Sequence, residues 1–228
     1  MPEKEGFLDR KWLSVQWGSV LLLLIGLSMG TAAADSVFEL PEVLSVLTEP
    51  ILVTTCGQSP GALMVALICE GLGLACEERD LISADELEAL CESGGDCPIG
   101  NMIAPYNTLF VTTGTSLKGM GAAGVNVEAE IARCEGLIDF AKRLGVFVIV
   151  GQVEGGARRT DDYDEQSIRA MSPLADLLIT HAGANTDDYF SQLAEELEIP
   201  QVFIEQTIEL KELLPLLFGL SEPGEDVP

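Results

Sequence analysis

Histidine is almost missing from this 228-residue chain, which has one, and lysine and arginine are scarce, twelve together against 37 aspartates and glutamates. A lone His181 among scattered acids offers no spacing at which a metal could be held for catalysis. The six cysteines include no paired C-x-x-C, which sets structural zinc aside on the same ground. The shortage of positive charge leaves a formal net charge of −25. Nucleic acid and anionic lipid are held mainly through Lys and Arg contacts to phosphate, so both are excluded as partners. Neither G-x-G-x-x-G after the first β-rich run nor G-x-x-x-x-G-K-[ST] occurs. A flavin or dinucleotide therefore has no motif behind it, and the sequence names no cofactor. An internal repeat and a second domain are absent too.

What is present begins with a leader. Arg10 and Lys11 precede an apolar core at Val20 to Leu27, and Thr31-Ala32-Ala33-Ala34 supplies small residues where a signal peptidase cuts. Residues 1–34 read as a signal peptide cleaved after Ala34, which places the mature protein in the periplasm or outside the cell. The rival reading is an uncleaved anchor, but the uninterrupted apolar part falls short of the ~20 residues a span needs. No Cys follows the core closely, so no lipid anchor is expected, and the mature chain has no membrane association. The leader is balanced in charge, Glu3, Glu5 and Asp9 against Lys4, Arg10 and Lys11, so the remainder keeps the full acidic excess. That remainder is the size of one domain, and 47% apolar residues suffice for its core.

Residues 35–50, with Pro41 and Pro50, read as a surface lead-in. A strand at Ile51 to Thr55 ends in CGQSP, where Ser59 as N-cap and Pro60 at the first helical position start a deep helix to Glu70. Leu74 to Leu81 is a weaker, edge-like strand, and Ser83-Ala84-Asp85-Glu86 opens a short helix through Leu90 by a capping box. Cys91 to Pro105 is a long polar loop. A strand at Thr108 to Thr112 leads into TTGTSLKGMGAAG, and helix Val125–Leu144 follows with apolar residues at 127, 131, 134, 138 and 141. Strand Val146–Val150 does not alternate, as befits burial on both faces. Then come a helix from Asp162 to Met171, a strand at Ala175 to Thr180, a helix capped by Thr186, a strand at Gln201 to Ile204, and a helix from Thr207 to Phe218. Residues 51–218 thus form one α/β domain, and 219–228 an acidic disordered tail. Alternating strands and helices imply a three-layer fold, a mainly parallel sheet of five to six strands with helices on both faces, flavodoxin-like or Rossmann-like.

In such a fold the strand-exit loops share one edge, and ligands bind there where the strand order reverses. Those loops carry Cys56, Gln58 and Ser59; Thr113, Ser116, Lys118 and Gly119; Gln152, Gly155, Gly156, Arg158 and Arg159; and His181 and Asn185. Glycines let backbone amides approach a ligand, and Lys118, Arg158 and Arg159 give that approach a positive sign in an otherwise acidic chain. The competing reading pairs the two arginines with Asp161, Asp162 and Asp164 beside them. Cys134 shares the apolar helical face and is expected as a buried small hydrophobe. Cys91 and Cys97 flank a flexible loop that a disulfide could close, Cys69 and Cys76 flank a Gly-Leu-Gly turn, and the disulfide pairing stays open.

GQSPGALMV, GTSLKGMGAAG and the GGARR run, with the strand after it, resemble a family of exported bacterial proteins of unknown function over roughly residues 48–218. The resemblance implies the flavodoxin-like or Rossmann-like domain and supports Gln58, Ser59, Ser116, Lys118, Gly119, Gly155, Gly156, Arg158 and Arg159 as the shared edge. It brings no activity, and at Cys56 and His181 that family usually carries other residues. The leading expectation is an exported protein that binds a small anionic molecule at this edge. A thiol-dependent enzyme using Cys56 and His181, oriented by Asp187 or Asp188, is the first alternative, and the balance leans against an enzyme. The second is an envelope protein whose acidic surface engages an exported protein partner without a small-molecule ligand.

Overall fold

Five runs rich in Val, Ile, Leu and Thr, and the short polar segment Cys76–Glu78, become the strands of one sheet in the computed structural model, which describes Phe38, Leu40, residues 46–93 and residues 104–220. The leader, most of the lead-in, the expected bridge to Cys97 and the tail from residue 221 lie outside the described residues. In chain order the elements are β1 (Ile51–Cys56), α1 (Gly61–Leu72), β2 (Cys76–Glu78), α2 (Ala84–Ser93), β3 (Thr108–Thr113), α3 (Leu117–Ala123) and α4 (Val127–Arg143). They continue with β4 (Phe147–Gln152), α5 (Asp162–Met171), β5 (Leu177–His181), α6 (Tyr189–Leu197), β6 (Gln201–Ile204) and α7 (Leu210–Phe218). The strand order is β2-β1-β3-β4-β5-β6, and every pairing is parallel. The fold class expected from the alternating pattern is therefore the observed one, a three-layer α/β fold with flavodoxin-like strand order.

The central strands β1 and β3 are buried at all six positions, because helices cover both faces. On one face Ile51, Val53, Phe110, Ile149 and Ile179 pack against Val65 and Ile68 of α1 and Leu213, Leu214 and Leu217 of α7. On the other, Leu52, Leu109, Val111, Val148 and Leu178 meet Leu87 of α2, Cys134, Leu137 and Ile138 of α4, and Ala194 of α6. Cys134 is buried in that layer, as its place on the apolar face of α4 predicts. Among the described residues, no helix is long and apolar enough to cross a membrane.

Several boundaries differ from the sequence reading for local reasons. Part of the lead-in is core and not surface: Phe38 and Leu47 are buried against α7, and Leu47 N donates to Leu217 O at 2.8 Å. Ser59 does not cap α1, since its hydroxyl faces that of Thr55 at 3.4 Å and Pro60 takes the N-cap position. Glycine-rich residues 117–123 form the short helix α3, capped by Ser116, whose hydroxyl accepts from Gly119 N at 3.1 Å. Thr186 likewise caps nothing; Asn185 Oδ1 accepts from Phe190 N at 2.8 Å instead. The capping box at Ser83 is present, with Glu86 N donating to Ser83 Oγ and Ser83 N to Glu86 Oε2.

Candidate functional site

The strand order reverses between β1 and β3, so residues 57–60 and 114–118 face each other at the carboxyl edge. Ser116 N donates to Gly57 O at 2.8 Å, and Gln58 and Thr115 form an antiparallel bridge. The glycines make this closure possible by letting the loops approach one another. A Cβ on Gly57 would stand 2.6 Å from Gly114 O, and one on Gly119 only 2.2 Å from Gln58 O. Gly155 serves a third contact of the same kind, because a Cβ there would meet His181 Nε2 at 2.9 Å. Gly119 and Gly155 were expected to let backbone amides approach a ligand; there, as at Gly57, the atoms within reach of an added Cβ belong to the protein itself.

Beneath the bridge lie two carboxylates, Glu130, which the sequence reading did not single out, and Asp164, which it offered only as a partner for the arginines. Glu130 is fully buried, and its Oε2 accepts from Gly57 N at 3.1 Å and Gln58 Nε2 at 2.8 Å. Arg133 neutralises it, with Nε to Oε1 at 3.0 Å and Nη2 to Oε2 at 2.9 Å, and also donates to the carbonyls of Ile82 and Thr55. Asp164, 2% exposed, accepts from both N and Oγ1 of Thr115 and from Thr160 N. The signal for Glu130 was a charged residue inside the apolar stripe of α4. Asp164 was masked by the acidic run around it.

The arginines are held by acids other than those expected beside them. Arg158 Nε reaches Glu154 Oε2 at 3.2 Å, and its Nη1 donates to Thr115 O at 3.0 Å. The other oxygen of Glu154 accepts from Gly61 N at 3.1 Å, so a carboxylate from the β4 exit loop sits at the N-terminus of α1. Arg159 forms a two-pronged pair with Asp187 at 2.7 and 2.8 Å, bonds Glu165 at 2.5 Å, and lies over the rings of Tyr189 and Phe190. Burial alone would lower its pKa, yet the hydrogen bonds it donates to Glu165 and Asp187 carry it upward. Partial burial tends to raise Asp187, but the bond from Arg159 outweighs it and holds the carboxyl below its ordinary range. Among the described residues, Lys118 and Lys211 are the basic side chains without a carboxylate partner.

The structure thus brings Gln58, Ser59, Ser116, Lys118, Gly119 and Arg158 to one cluster of loops. Gly155 and Gly156 pack instead against His181 and Gly183, and Arg159 turns toward α6. Gln152 Nε2 and Oε1 clamp this turn through Gly155 O and N, both at 3.0 Å. The thiol–imidazole pair does not form. Strands β3 and β4 stand between Cys56 on β1 and His181 on β5, three strand spacings or roughly 14 Å. Cys56 is completely buried, His181 Nδ1 accepts from Gly183 N at 3.0 Å, and Asp187 belongs to Arg159. Among the described residues, no group of three or more His, Cys, Asp or Glu could hold a metal ion.

Among solved structures, a flavodoxin from Pseudomonas aeruginosa carrying a single Cys-to-Ala substitution is 14% identical with a TM-score of 0.33, and the match covers 65% of this chain and 97% of that one. A GDSL-like lipase from Bacteroides thetaiotaomicron is 13% identical with a TM-score of 0.31, covering 67% of this chain and 66% of that one. The psychrotrophic esterase EstA from Pseudoalteromonas sp. is 8% identical with a TM-score of 0.31, covering 75% and 93%. No curated protein matches the chain. Residues 48–218, spanning all six strands and ending with α7, match one family model, and the chain belongs to that family, the domain of unknown function DUF6305.

Proposed function

We propose that this domain binds a small anion, a carboxylate or a phosphate, at the carboxyl edge between β1 and β3, in a protein exported by its leader. The observation that supports this most directly is Glu154. Its carboxylate occupies the place such a ligand would take, against Gly61 N at 3.1 Å and Arg158 Nε at 3.2 Å. A helix N-terminus and an arginine together favour an anion, and here the chain supplies one of its own. A ligand anion displaces Glu154, takes over Arg158, and gains Lys118, which is exposed at the start of α3 with no carboxylate of its own. Gln58, Ser59, Ser116 and Gly119 shape the wall. Gly155, Gly156 and Arg159 support it from behind by fixing the turn that carries Arg158. The reading requires no cofactor and no catalytic step, and the acidic remainder of the surface is left to solubility or to an exported partner.

The test is thermal denaturation of the full chain and of Glu154→Ala with phosphate and with small carboxylates, each repeated in Arg158→Ala and Lys118→Ala backgrounds. Freed of its internal competitor, Glu154→Ala binds more tightly than the parent. At a hundredfold excess over Kd the ligand stabilises it by about 2.7 kcal/mol, which raises Tm by roughly 5–10 °C for a domain of this size. Removing Arg158 or Lys118 abolishes that shift. A Glu154→Ala protein that folds and responds to none of these anions overturns the reading.

A further inference from the structure

At the opposite edge of the sheet, two cysteines are brought together by a turn. α1 ends at Leu72, and Gly73 follows in the left-handed conformation at φ 75°, its N–H donating to the carbonyls of Cys69 and Glu70. Leu74 N also donates to Cys69 O at 3.0 Å, so the chain doubles back at once into β2, whose first residue is Cys76. Cys69 is 1% exposed inside the core between α1 and the sheet, and Cys76 packs against that same core while keeping part of its surface in water. The turn thus sets both residues against one core layer, where each thiol shifts the ionisation of the other. Cys76 also lines a groove of about 490 Å³ between the outer face of α1 and edge strand β2, with Leu63, Leu67, Glu70, Gly73 and Glu78.

We propose that Cys69 and Cys76 are a redox-active dithiol, with Cys76 as the attacking sulfur reached through the groove and Cys69 as the buried resolving sulfur. The co-reactant is a disulfide that is not anionic, because Glu70 and Glu78 line the groove and repel negative charge. Cys76 as thiolate attacks one sulfur of R–S–S–R, forms a mixed disulfide and expels R–S⁻. Cys69 then attacks the Cys76 sulfur, closes the internal disulfide and expels the second R–S⁻. The two protons lost by the cysteines end on the two departing thiols, so one disulfide is reduced while one is made. Cys69 is the partner that stays protonated: its hydrogen bond to Cys76 and its burial raise it, and the same bond lowers Cys76 against the burial and the nearby Glu78 and Glu77 that oppose ionisation there.

The chain carries its own control. Cys56 and Cys134 also share one core layer, where Cys134 Sγ donates to Thr55 O at 3.6 Å, yet both are fully buried. Adjacency without access leaves that pair reduced.

The experiment incubates the folded full chain with hydroxyethyl disulfide, a neutral probe, at neutral pH, then alkylates remaining thiols and maps them by peptide mass spectrometry. The expected product is an internal link between Cys69 and Cys76, with Cys56 and Cys134 recovered as thiols that alkylate only after denaturation. In Cys69→Ser the mixed disulfide accumulates on Cys76. In Cys76→Ser, the reaction of Cys69 with the probe slows by roughly tenfold or more, since the partly exposed attacking sulfur is gone. Recovery of Cys69 and Cys76 as unmodified thiols in the wild-type chain overturns the proposal, and so does Cys69 reacting at the parental rate in Cys76→Ser. The wild-type measurement decides the matter even if a variant fails to fold.

Discussion

Arg133→Met is the substitution that most directly tests how the carboxyl edge is built. Arg133 keeps 11% of its side chain exposed and Glu130 1%, so the pair is nearly dry. The guanidinium satisfies both oxygens of Glu130, the carbonyls of Ile82 and Thr55, and Thr54 Oγ1 at 3.3 Å. Methionine fills much the same volume but removes every one of these bonds. Glu130 keeps only Gly57 N and Gln58 Nε2 and becomes a buried charge without a counter-ion, which costs about 3–5 kcal/mol. Total stability of a domain is about 5–15 kcal/mol, so this loss should lower Tm by roughly 6–20 °C. Adding Glu130→Gln to Arg133→Met removes the stranded charge and keeps an acceptor for Gly57 and Gln58. The double variant should therefore regain at least about 1 kcal/mol over Arg133→Met alone. Urea denaturation followed by far-UV circular dichroism measures all four corners of this cycle. A loss below about 1 kcal/mol for Arg133→Met, or a double variant whose cost is the plain sum of the singles, would falsify the claim that this ion pair holds the edge together.

Two further expectations use the same assay. Gly119→Ala forces its Cβ to within 2.2 Å of Gln58 O and should cost about 1–3 kcal/mol, whereas Gly121→Ala, which meets nothing within 4 Å on the same helix, should be neutral or stabilising by up to about 1 kcal/mol. Equal effects at the two glycines would mean that the loops are not in contact. The pH dependence is set in part by Glu78, the last residue of β2, and Asp80 beyond it. Loss of surrounding water raises both, the charge and hydrogen bond of Asp80 add to the rise at Glu78, and the pull of Arg133 on Asp80 is outweighed. The folded chain then takes up protons at a higher pH than the unfolded chain. The contribution of these two groups to stability therefore increases as pH falls from neutral toward the ordinary carboxylate range, and is level below it. Glu78→Gln/Asp80→Asn should raise Tm at neutral pH and lose that advantage on acidification; a Tm difference from the parent that does not change with pH removes these groups from the account.

The layered fold was legible because burial writes itself into composition. Strands β1, β3 and β4 are runs of Val, Ile, Leu, Phe and Thr without alternation, and α4 keeps one apolar stripe, so periodicity placed them within a residue or two. The capping box of Ser83 and Glu86 was readable because two side chains three residues apart bond each other's backbone, whereas the single caps read at Ser59 and Thr186 did not form and those at Asn126 and Asp161 went unread. The loops were harder. Glycine-rich exit segments look the same whether backbone approaches a ligand or another loop, and only the reversal of strand order brings Gly57 against Gly114 and Gly119 against Gln58.

What the sequence determined by itself is thus the fold class, the acidic composition, and the set of side chains delivered to the carboxyl edge, since these depend on pattern and on which end of each strand a loop follows. Tertiary structure alone decided the partners: Glu154 with the start of α1, Glu130 with Arg133 beneath the loops, Arg159 with Asp187, and Cys56 kept away from His181 by two strands. Electrostatic pairing acts over a few ångströms in space, and for Glu154 and Gly61, 93 residues apart along the chain, the packing of the layers sets that distance.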